Sequence, residues 1–455
     1  MSADISLIHY PILAKLQMKI IIPKSHFLIR LEQSIPWMEF ADFAIDDLYR
    51  DKKRSGPKLN LRLHIGAYLL QSMFKWTDRE LEENLNYYAP ARLFCGLDER
   101  KSYDHSAYVK FRNRITEETS KKLCHTILKI ASRKGFTNST SLDFDSTVQE
   151  AGIGYPSDVI MMHKLIKKCQ KVLRHLTERG CTKAKKILEK FDFRKMGKKF
   201  KEYYFAKKSD EGKEKKTELF SYFQVKTKEI TESVTSLSKR IIAQYKLKWN
   251  FKKDLAHITD VAPVLLQQIR FFIKTHTVAP RKILALYIEK AKCICKGKLG
   301  KPNEFGRKWF IGRLAGNYAF GLTDEDIALE DAHSLAKGIM DHEKIFNTPP
   351  KSITGDQGFW SRPNLKVCEE KKIKEIGISP RGRLAWRVDA DKIEGLKSRR
   401  AGVEPIIGHI KRRGLGKSKM KSDQGIKHEG QRAILSLNLS RLAVDLSGGS
   451  LKWSG

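Results

Sequence analysis

The stretch NSTSLDFDSTV, residues 138–148, marks the point where the chain changes from helical to α/β patterning. Small, polar and β-branched residues replace the long helical patterns that come before it, and this composition is typical of a strand. Successive side chains of a strand point to opposite faces, so Asp143, Asp145 and Thr147 share one face. A strand that presents two carboxylates on one face indicates a candidate site.

The segment before this strand, residues 36–135, reads as a series of helices. Thr77 and Glu80 have the spacing of a capping box, which predicts that a helix begins at Asp78. The tight joint at residues 75–77 suits a helix-turn-helix-like unit, although an ordinary helical hairpin would give the same pattern. Three cations follow closely and could form a phosphate-contacting face: Lys110, Arg112 and Arg114.

Two different patterns follow the strand. Residues 161–300 form long Lys-rich helical patterns with little Gly or Pro, which predicts an all-helical insertion. From residue 301 strand patterns return, with a hairpin turn at Gly316-Asn317 and a short strand that ends in Asp356. A last apolar helix is predicted over residues 431–446. Short helices between the later strands favour a partly parallel sheet covered by helices, and therefore the α/β class.

The charge of the chain points to its partner. Its 455 residues carry a formal net charge of +36, distributed along the whole chain. An enzyme for small molecules has no use for this excess, whereas a nucleic acid releases counterions when cations neutralise its phosphates. A halo of solvated lysines is the alternative explanation. No apolar run reaches the length of a membrane span, so we expect a soluble, cytoplasmic protein that does not associate with membranes.

Three acidic residues are candidates for a metal site: Asp145, Asp356 and Glu404. Asp356 stands where a strand ends, and in α/β sheets sites gather at the carboxyl ends of strands. Converging carboxylates repel one another unless cations bind, and hard oxygen ligands favour Mg²⁺ or Mn²⁺. On one continuous helix, Arg400, Glu404 and Lys411 would fall on one face. An ordinary ion pair between Arg400 and Glu404 would explain that spacing equally well.

Four stretches in this order resemble the DDE transposases of bacterial insertion sequences. They are DFDSTVQEAGIGYPSD (143–158), EFGRKW (304–309), TPPKSITGDQGFWSRPN (348–364) and RRAGVEPIIGHIKRR (399–413). The third acid of that family belongs to the signature Tyr, two residues, Arg, three residues, Glu, six residues, Lys. Arg400, Glu404 and Lys411 match it, whereas Lys397 replaces the tyrosine. The first acid maps onto Asp145, and no such support exists for Asp143.

The resemblance implies an RNase H-like core, a mixed five-stranded sheet with Asp145 on the first strand and Asp356 after the fourth. It also implies that two Mg²⁺ or Mn²⁺ ions support cutting of the element's ends, and that the freed 3′-OH then attacks target DNA. The expected partners are double-stranded DNA and a second copy of the chain in a homodimer. The expected cation contacts to DNA are Arg400, Lys411, Lys397, Lys110, Arg112 and Arg114.

The expected organisation has three parts. A helical DNA-binding domain occupies residues 31–135, a discontinuous catalytic domain occupies 138–160 and 301–446, and the helical insertion occupies 161–300. Two other functions use the same features. One is a metal-dependent DNA nuclease that cuts without joining strands, and the other is a non-catalytic DNA-binding protein derived from a transposase.

Overall fold

The structure is a computed structural model. It describes residues 5–8, 20–49, 59–97, 102–153, 157–207, 209–245, 247–288, 290–295, 303–323, 331–382 and 384–449. Residues 154–156 of the first family-like stretch lie outside this described part. The chain forms two compact units, one of residues 1–152 and 294–455 and the other of residues 153–293. None of the described helices is long and apolar enough to span a membrane.

The N-terminal part of the first unit is helical, as the sequence predicts. A small antiparallel pair of strands precedes the helices: β1 (Ile5–Ile8) and β2 (Ile20–Pro23). The helices are α1 (Phe27–Ser34), α2 (Trp37–Leu48), α3 (Leu61–Phe74), α4 (Asp78–Tyr87), α5 (Ala89–Phe94), α6 (His105–Arg112) and α7 (Glu117–Arg133).

The predicted joint between two of these helices is present. Helix α3 ends at Lys75, which has the left-handed φ of 59°. The backbone N–H of Thr77 donates to Glu80 at 2.6 Å, and the N–H of Glu80 donates to the Thr77 hydroxyl at 3.2 Å. This reciprocal capping box starts α4 at Asp78.

The main sheet of this unit is mixed. Its strands are β3 (Ser141–Glu150), β4 (Lys292–Cys295), β5 (Asn303–Arg313), β6 (Ala319–Leu322), β7 (Ser352–Gly355) and β8 (Glu375–Ile378). They are ordered β4-β5-β3-β7-β8, with β6 also paired to β5. β5 runs antiparallel to β3 and β6, whereas β7 runs parallel to β3 and β8.

The sheet has six strands, and the expectation of five was wrong. Strand β5 is long enough, at 11 residues, to pair with β6 over its last four residues and with β4 elsewhere. The predicted hairpin turn between β5 and β6 is confirmed, because Gly316 and Asn317 both have positive φ, 70° and 62°.

Five further helices cover the sheet and fill the core of this unit. They are α13 (Leu335–Phe346), α14 (Arg362–Glu370), α15 (Ala390–Ala401), α16 (Val403–Ile410) and α17 (Asp423–Leu446), with a π-helical turn at Lys411–Leu415. Helix α17 begins eight residues before its predicted start, because Ser422 caps it through the Gly425 N–H. Buried Asn438 on this helix bonds both backbone groups of Ala319 in β6. The N-terminal helices and the sheet therefore share one hydrophobic core.

The second unit has its own core, formed by five helices numbered between α7 and α13. They are α8 (Asp158–Thr177), α9 (Thr182–Lys190), α10 (Phe193–Phe205), α11 (Asp210–Gln244) and α12 (Trp249–Thr275). The expectation that residues 161–300 are all helical was wrong at the end of the segment. Residues 276–288 are irregular and β4 follows, because β5 offers an edge with which residues 292–295 can pair.

Candidate active site

Asp145 and Asp356 come together through the pairing of two parallel strands. Ser141, Leu142 and Asp143 of β3 pair with Ser352, Ile353 and Thr354 of β7. The same register, continued by two residues, sets Asp145 beside Asp356, which immediately follows β7. The sheet therefore places the two carboxylates next to each other although 210 residues separate them in the chain.

Arg400 on α15 lies between these two carboxylates. Its Nη2 is 3.8 Å from Oδ2 of Asp145 and 3.7 Å from Oδ2 of Asp356. These distances allow attraction between the charges but are too long for strong hydrogen bonds. Within the described part of the chain, Nε of Arg400 is buried without a hydrogen-bond partner. The guanidinium is thus attracted to the pair but loosely held.

Burial is the strongest influence on Asp145, and it raises the pKa of this carboxyl. The backbone N–H of Ser146, at 2.6 Å from Oδ1, and the nearby Arg400 lower the pKa again. The negative charges of Asp356 and Asp331 raise it further. This local concentration of negative charge would be relieved by a bound cation.

Asp143, the other acid on this face of the strand, has a different environment. It is 3% exposed. Its carboxylate accepts hydrogen bonds from Arg313 at 2.9 Å, from Arg399 at 2.6 Å and from the Thr354 hydroxyl at 2.9 Å. Two guanidinium groups therefore satisfy Asp143 inside the protein, which makes it part of the framework that holds α15 against the sheet.

Glu404 does not join the two aspartates. The carboxylate oxygens of Asp145, Asp356 and Glu404 do not all lie within 4.8 Å of one another. Glu404 is exposed, and α16 buries instead its neighbours Val403, Ile406 and Ile410.

The expected continuous helix through Arg400, Glu404 and Lys411 is divided into α15 and α16. The helix is interrupted at Gly402, between α15 and α16. Pro405 has no N–H to donate to the carbonyl of Ala401, and its ring would clash with that carbonyl in a continuous helix. The sequence Gly-Val-Glu-Pro could have revealed this break. Lys411 is half-buried and begins the π-helical turn after α16.

The remaining predicted cations differ in their surroundings. Lys397 is exposed, with Nζ 5.5 Å from the centre of the Trp386 ring. Lys110 and Arg114 are exposed near the end of α6. Arg112 is not an open surface cation, because its guanidinium donates to both oxygens of Asp78 and to Gln71.

Two acidic features were missed by the sequence reasoning. Asp331 forms an ion pair with Lys308 at 2.7 Å and acts on Asp145 through its charge. Glu82, Asp104 and His105 form the one group of three among the described residues whose ligand atoms all lie within 4.8 Å of one another. His105 Nδ1 is 3.0 Å from Glu82 and 3.3 Å from Asp104, so this group is also held together by its own ion pairs. No spacing signal in the sequence links these residues.

The donor set around Arg400 fits a hard divalent cation in part. Asp145 on β3 and Asp356 just after β7 offer carboxylate oxygens to one positive charge, and carboxylate oxygens are the ligands that Mg²⁺ and Mn²⁺ prefer. In the structure, Arg400 provides this positive charge, and its nitrogen lies too far from both carboxylates for strong hydrogen bonds. Glu404 would complete a set of three acids only from a position closer to the other two.

Comparisons with known proteins match two parts of the chain. The model of a transposase domain (DUF772) matches residues 16–114, which include Lys110, Arg112 and Arg114. The model of the transposase DDE domain matches residues 323–439, which include Asp356, Arg400, Glu404 and Lys411. No curated protein matches the chain. No solved structure matches it either. The two domain matches support a DDE transposase, a nucleic-acid-processing enzyme of a family that has DNA as its partner and normally uses a divalent metal.

Proposed function

We propose that the protein binds the terminal inverted repeats of an insertion sequence, cleaves DNA at the ends of the element and joins the 3′-OH ends to target DNA. The observation that carries this proposal is the convergence of Asp145 and Asp356 on Arg400. Two acids, one on a strand and one just after the neighbouring strand, lie beside a loosely held cation, and this arrangement suits chemistry on a negatively charged phosphodiester.

The strand arrangement supports an RNase H-like core within this proposal. Without β4, the strands in chain order are β3, β5, β6, β7 and β8, and their spatial order is β6-β5-β3-β7-β8. Asp145 then lies on the first of the five strands, and Asp356 follows the fourth. Strand β4 is an addition at the end of the segment that separates β3 from β5.

Each residue has a defined task in this mechanism. Asp145 and Asp356 would hold the divalent metal, and Glu404 would be the third ligand from a position closer to them. A bound divalent metal lowers the pKa of water and stabilises the charge on the oxygens of a phosphodiester under attack. Arg400 and Lys411 donate to phosphate oxygens near the cut, and Lys397 contacts the DNA backbone from the same helix as Arg400. Lys110 and Arg114 contact phosphates from the N-terminal helices.

The proposal includes a division of labour between the parts of the chain. A metal site formed by carboxylates contacts only the phosphate backbone of DNA, and the backbone carries no sequence information. The helices of residues 31–135 read the terminal repeats, since a helix in the major groove is the usual reader of bases. Two copies of the chain act in the cytoplasm, at the nucleoid, with one copy on each end of the element.

A joining assay tests this function. The purified chain is mixed with Mg²⁺ and a linear DNA that carries the two flanks of its gene, with EDTA in a parallel sample. We expect Mg²⁺-dependent cuts at short inverted repeats and products in which the 3′ ends are joined to a second DNA. Cuts without joined products would identify a nuclease. Binding without cuts would favour the non-catalytic DNA-binding protein, an alternative that the exposed position of Glu404 supports.

A further inference from the structure

A polar cavity of about 350 Å³ lies at the joint between α3 and α4, where α6, the π-helical turn and α17 also meet. Four cations and two carboxylates line it: Lys75, Arg112, Arg413, Arg432, Asp78 and Glu429. All belong to the first unit. Neither the proposed metal site nor the proposed phosphate contacts near the cut include this cavity.

The two carboxylates do not balance the four cations. Asp78 is engaged by Arg112, with 3.2 Å between Nη2 and Oδ2, and also accepts from Gln71. Glu429 accepts a hydrogen bond from the Ser418 hydroxyl, and burial raises the pKa of this carboxyl. Burial therefore disfavours its negative charge.

Arg413 and Arg432 are held in place by hydrogen bonds to uncharged groups. Nη1 of Arg413 donates to the Met73 carbonyl at 3.3 Å and to the Ser436 hydroxyl at 2.8 Å. Nε of Arg432 donates to the Ser72 hydroxyl at 3.2 Å. In the part of the chain that the structure describes, neither guanidinium forms an ion pair with a carboxylate.

The positive charge of this cavity is therefore only partly compensated. Burial is the largest influence on Arg432 and lowers its pKa, as does the neighbouring Arg112, whereas Tyr68, Asp78 and Glu429 raise it. Burial and then Arg412 lower the pKa of Arg413. Arginine nevertheless stays protonated in proteins. The preceding contacts fix the two guanidinium groups before any ligand arrives, which reduces the entropy that binding an anion would cost.

We propose that this cavity binds a phosphate group. A tetrahedral anion with several acceptor oxygens can take donors from Arg413, Arg432 and Lys75 at once, and fixed guanidinium forks suit such an anion. Trp76 lines the same cavity. One face of its ring is stacked on Phe74, with 4.5 Å between the ring centres, so a nucleotide base could stack only on the other face. A phosphate of DNA is therefore the source that fits best, and a free phosphate ion is the other.

The cavity is connected to the candidate active site through the chain itself. The carbonyl of Gly414, which follows Arg413, lies 3.4 Å from the side-chain nitrogen of Gln149 on β3. Gln149 is four residues beyond Asp145 on that strand, a distance of about 13 Å. The cavity and the candidate active site are therefore joined through β3 within the first unit.

Titration calorimetry of the full chain with inorganic phosphate, at constant ionic strength and against chloride, tests the proposal. Arg413→Gln should weaken phosphate binding about tenfold or more, because a charged donor is lost. Lys75 is exposed, so Lys75→Gln should leave folding intact and weaken binding by about threefold. Lys134→Gln, at an exposed lysine after α7, is the matched control and should change nothing.

A short DNA duplex added to the same titration separates the two sources of the phosphate. Competition by the duplex would assign the cavity to the DNA backbone, whereas phosphate binding without competition would assign it to a free phosphate. Both results support the proposal, and neither depends on DNA cleavage. The proposal is overturned if phosphate binds no better than chloride, or if Lys75→Gln and Lys134→Gln have equal effects.

Discussion

Buried Asp143 and half-buried Arg399 form an ion pair with 2.6 Å between Oδ1 and Nη2. Asp143 and Asp145 lie on the same face of β3, and this contact distinguishes them. The charge of Asp143 is balanced by arginines within the protein, whereas Asp145 faces Asp356 and the loosely held Arg400. We therefore expect stability to depend on Asp143 and chemistry to depend on Asp145.

Asp143→Asn should lower the free energy of unfolding by about 2 kcal/mol, because it removes the shared counter-charge of Arg313 and Arg399, which are both partly exposed. Denaturant unfolding monitored by circular dichroism measures this loss. Asp145→Asn is the matched variant and should not destabilise the protein, since it removes a carboxylate that burial disfavours. Equal losses in the two variants would contradict this distinction.

Arg400→Gln should increase the affinity of the protein for Mn²⁺ by about tenfold, because a positive charge beside Asp145 and Asp356 competes with a bound cation. Free Mn²⁺ measured by electron paramagnetic resonance during a titration gives the affinity without any DNA. Arg133→Gln, an exposed arginine at the end of α7, provides the control. An unchanged or weaker Mn²⁺ affinity would show that Arg400 does not occupy the place of the ion.

Lys110→Ala should flatten the salt dependence of DNA binding by about 0.9 in the slope of log K against log salt, because one phosphate contact is lost. Arg112→Ala, two residues away, should instead destabilise the protein by about 1–2 kcal/mol, because it deprives Asp78 and Gln71 of a partner. Filter binding over a salt series and thermal unfolding measure the two effects. Loss of stability in Lys110→Ala with an unchanged slope would reverse these roles.

His342 should make stability depend on pH. It is fully buried and burial lowers its pKa to about 4 from an ordinary value of 6.5. Between these two values the unfolded chain binds a proton that the folded chain does not, so stability is lost as pH falls through this window. The contribution between pH 6.5 and pH 5.5 is about 1 kcal/mol.

Denaturant unfolding at these two pH values tests the contribution of His342. His342→Gln cannot bind the proton, so its stability should change less between the two values than that of the unchanged protein. The same pH dependence in both proteins would exclude His342 as its source.

Local features of the fold could be predicted from the sequence. The capping box of Thr77 and Glu80 and the turn at Gly316-Asn317 depend on residues that are neighbours in the chain, so their spacing reveals them. The break at Gly402 is also a local feature, since Pro405 causes it. The Arg-Glu-Lys spacing matched the family signature and led us to expect one continuous helix instead.

The partners that decide the site are distant in the chain. Arg313 and Arg399 donate hydrogen bonds to Asp143 from 170 and 256 residues away in the chain. The alternating side-chain pattern of β3 puts Asp143 and Asp145 on the same face, so it could not distinguish them. The residues next to Arg112 in the sequence likewise suggest a surface cation. Its partner Asp78 lies at the start of α4, and only the packing of that helix places the two side chains together. The strand β4 was missed because the pairing edge of β5 determines it more than its own four residues do.

The most direct test of the account is Mg²⁺-dependent cleavage of DNA that carries the flanks of the gene, measured for Asp145→Asn, Asp356→Asn and Glu404→Gln beside the unchanged protein. Each variant should cut more slowly by roughly a hundredfold or more while it binds the DNA as before. Glu394→Gln, at an exposed glutamate of α15, should cut at the full rate. Cleavage by Asp356→Asn at the rate of the unchanged protein would contradict the assignment of the active site.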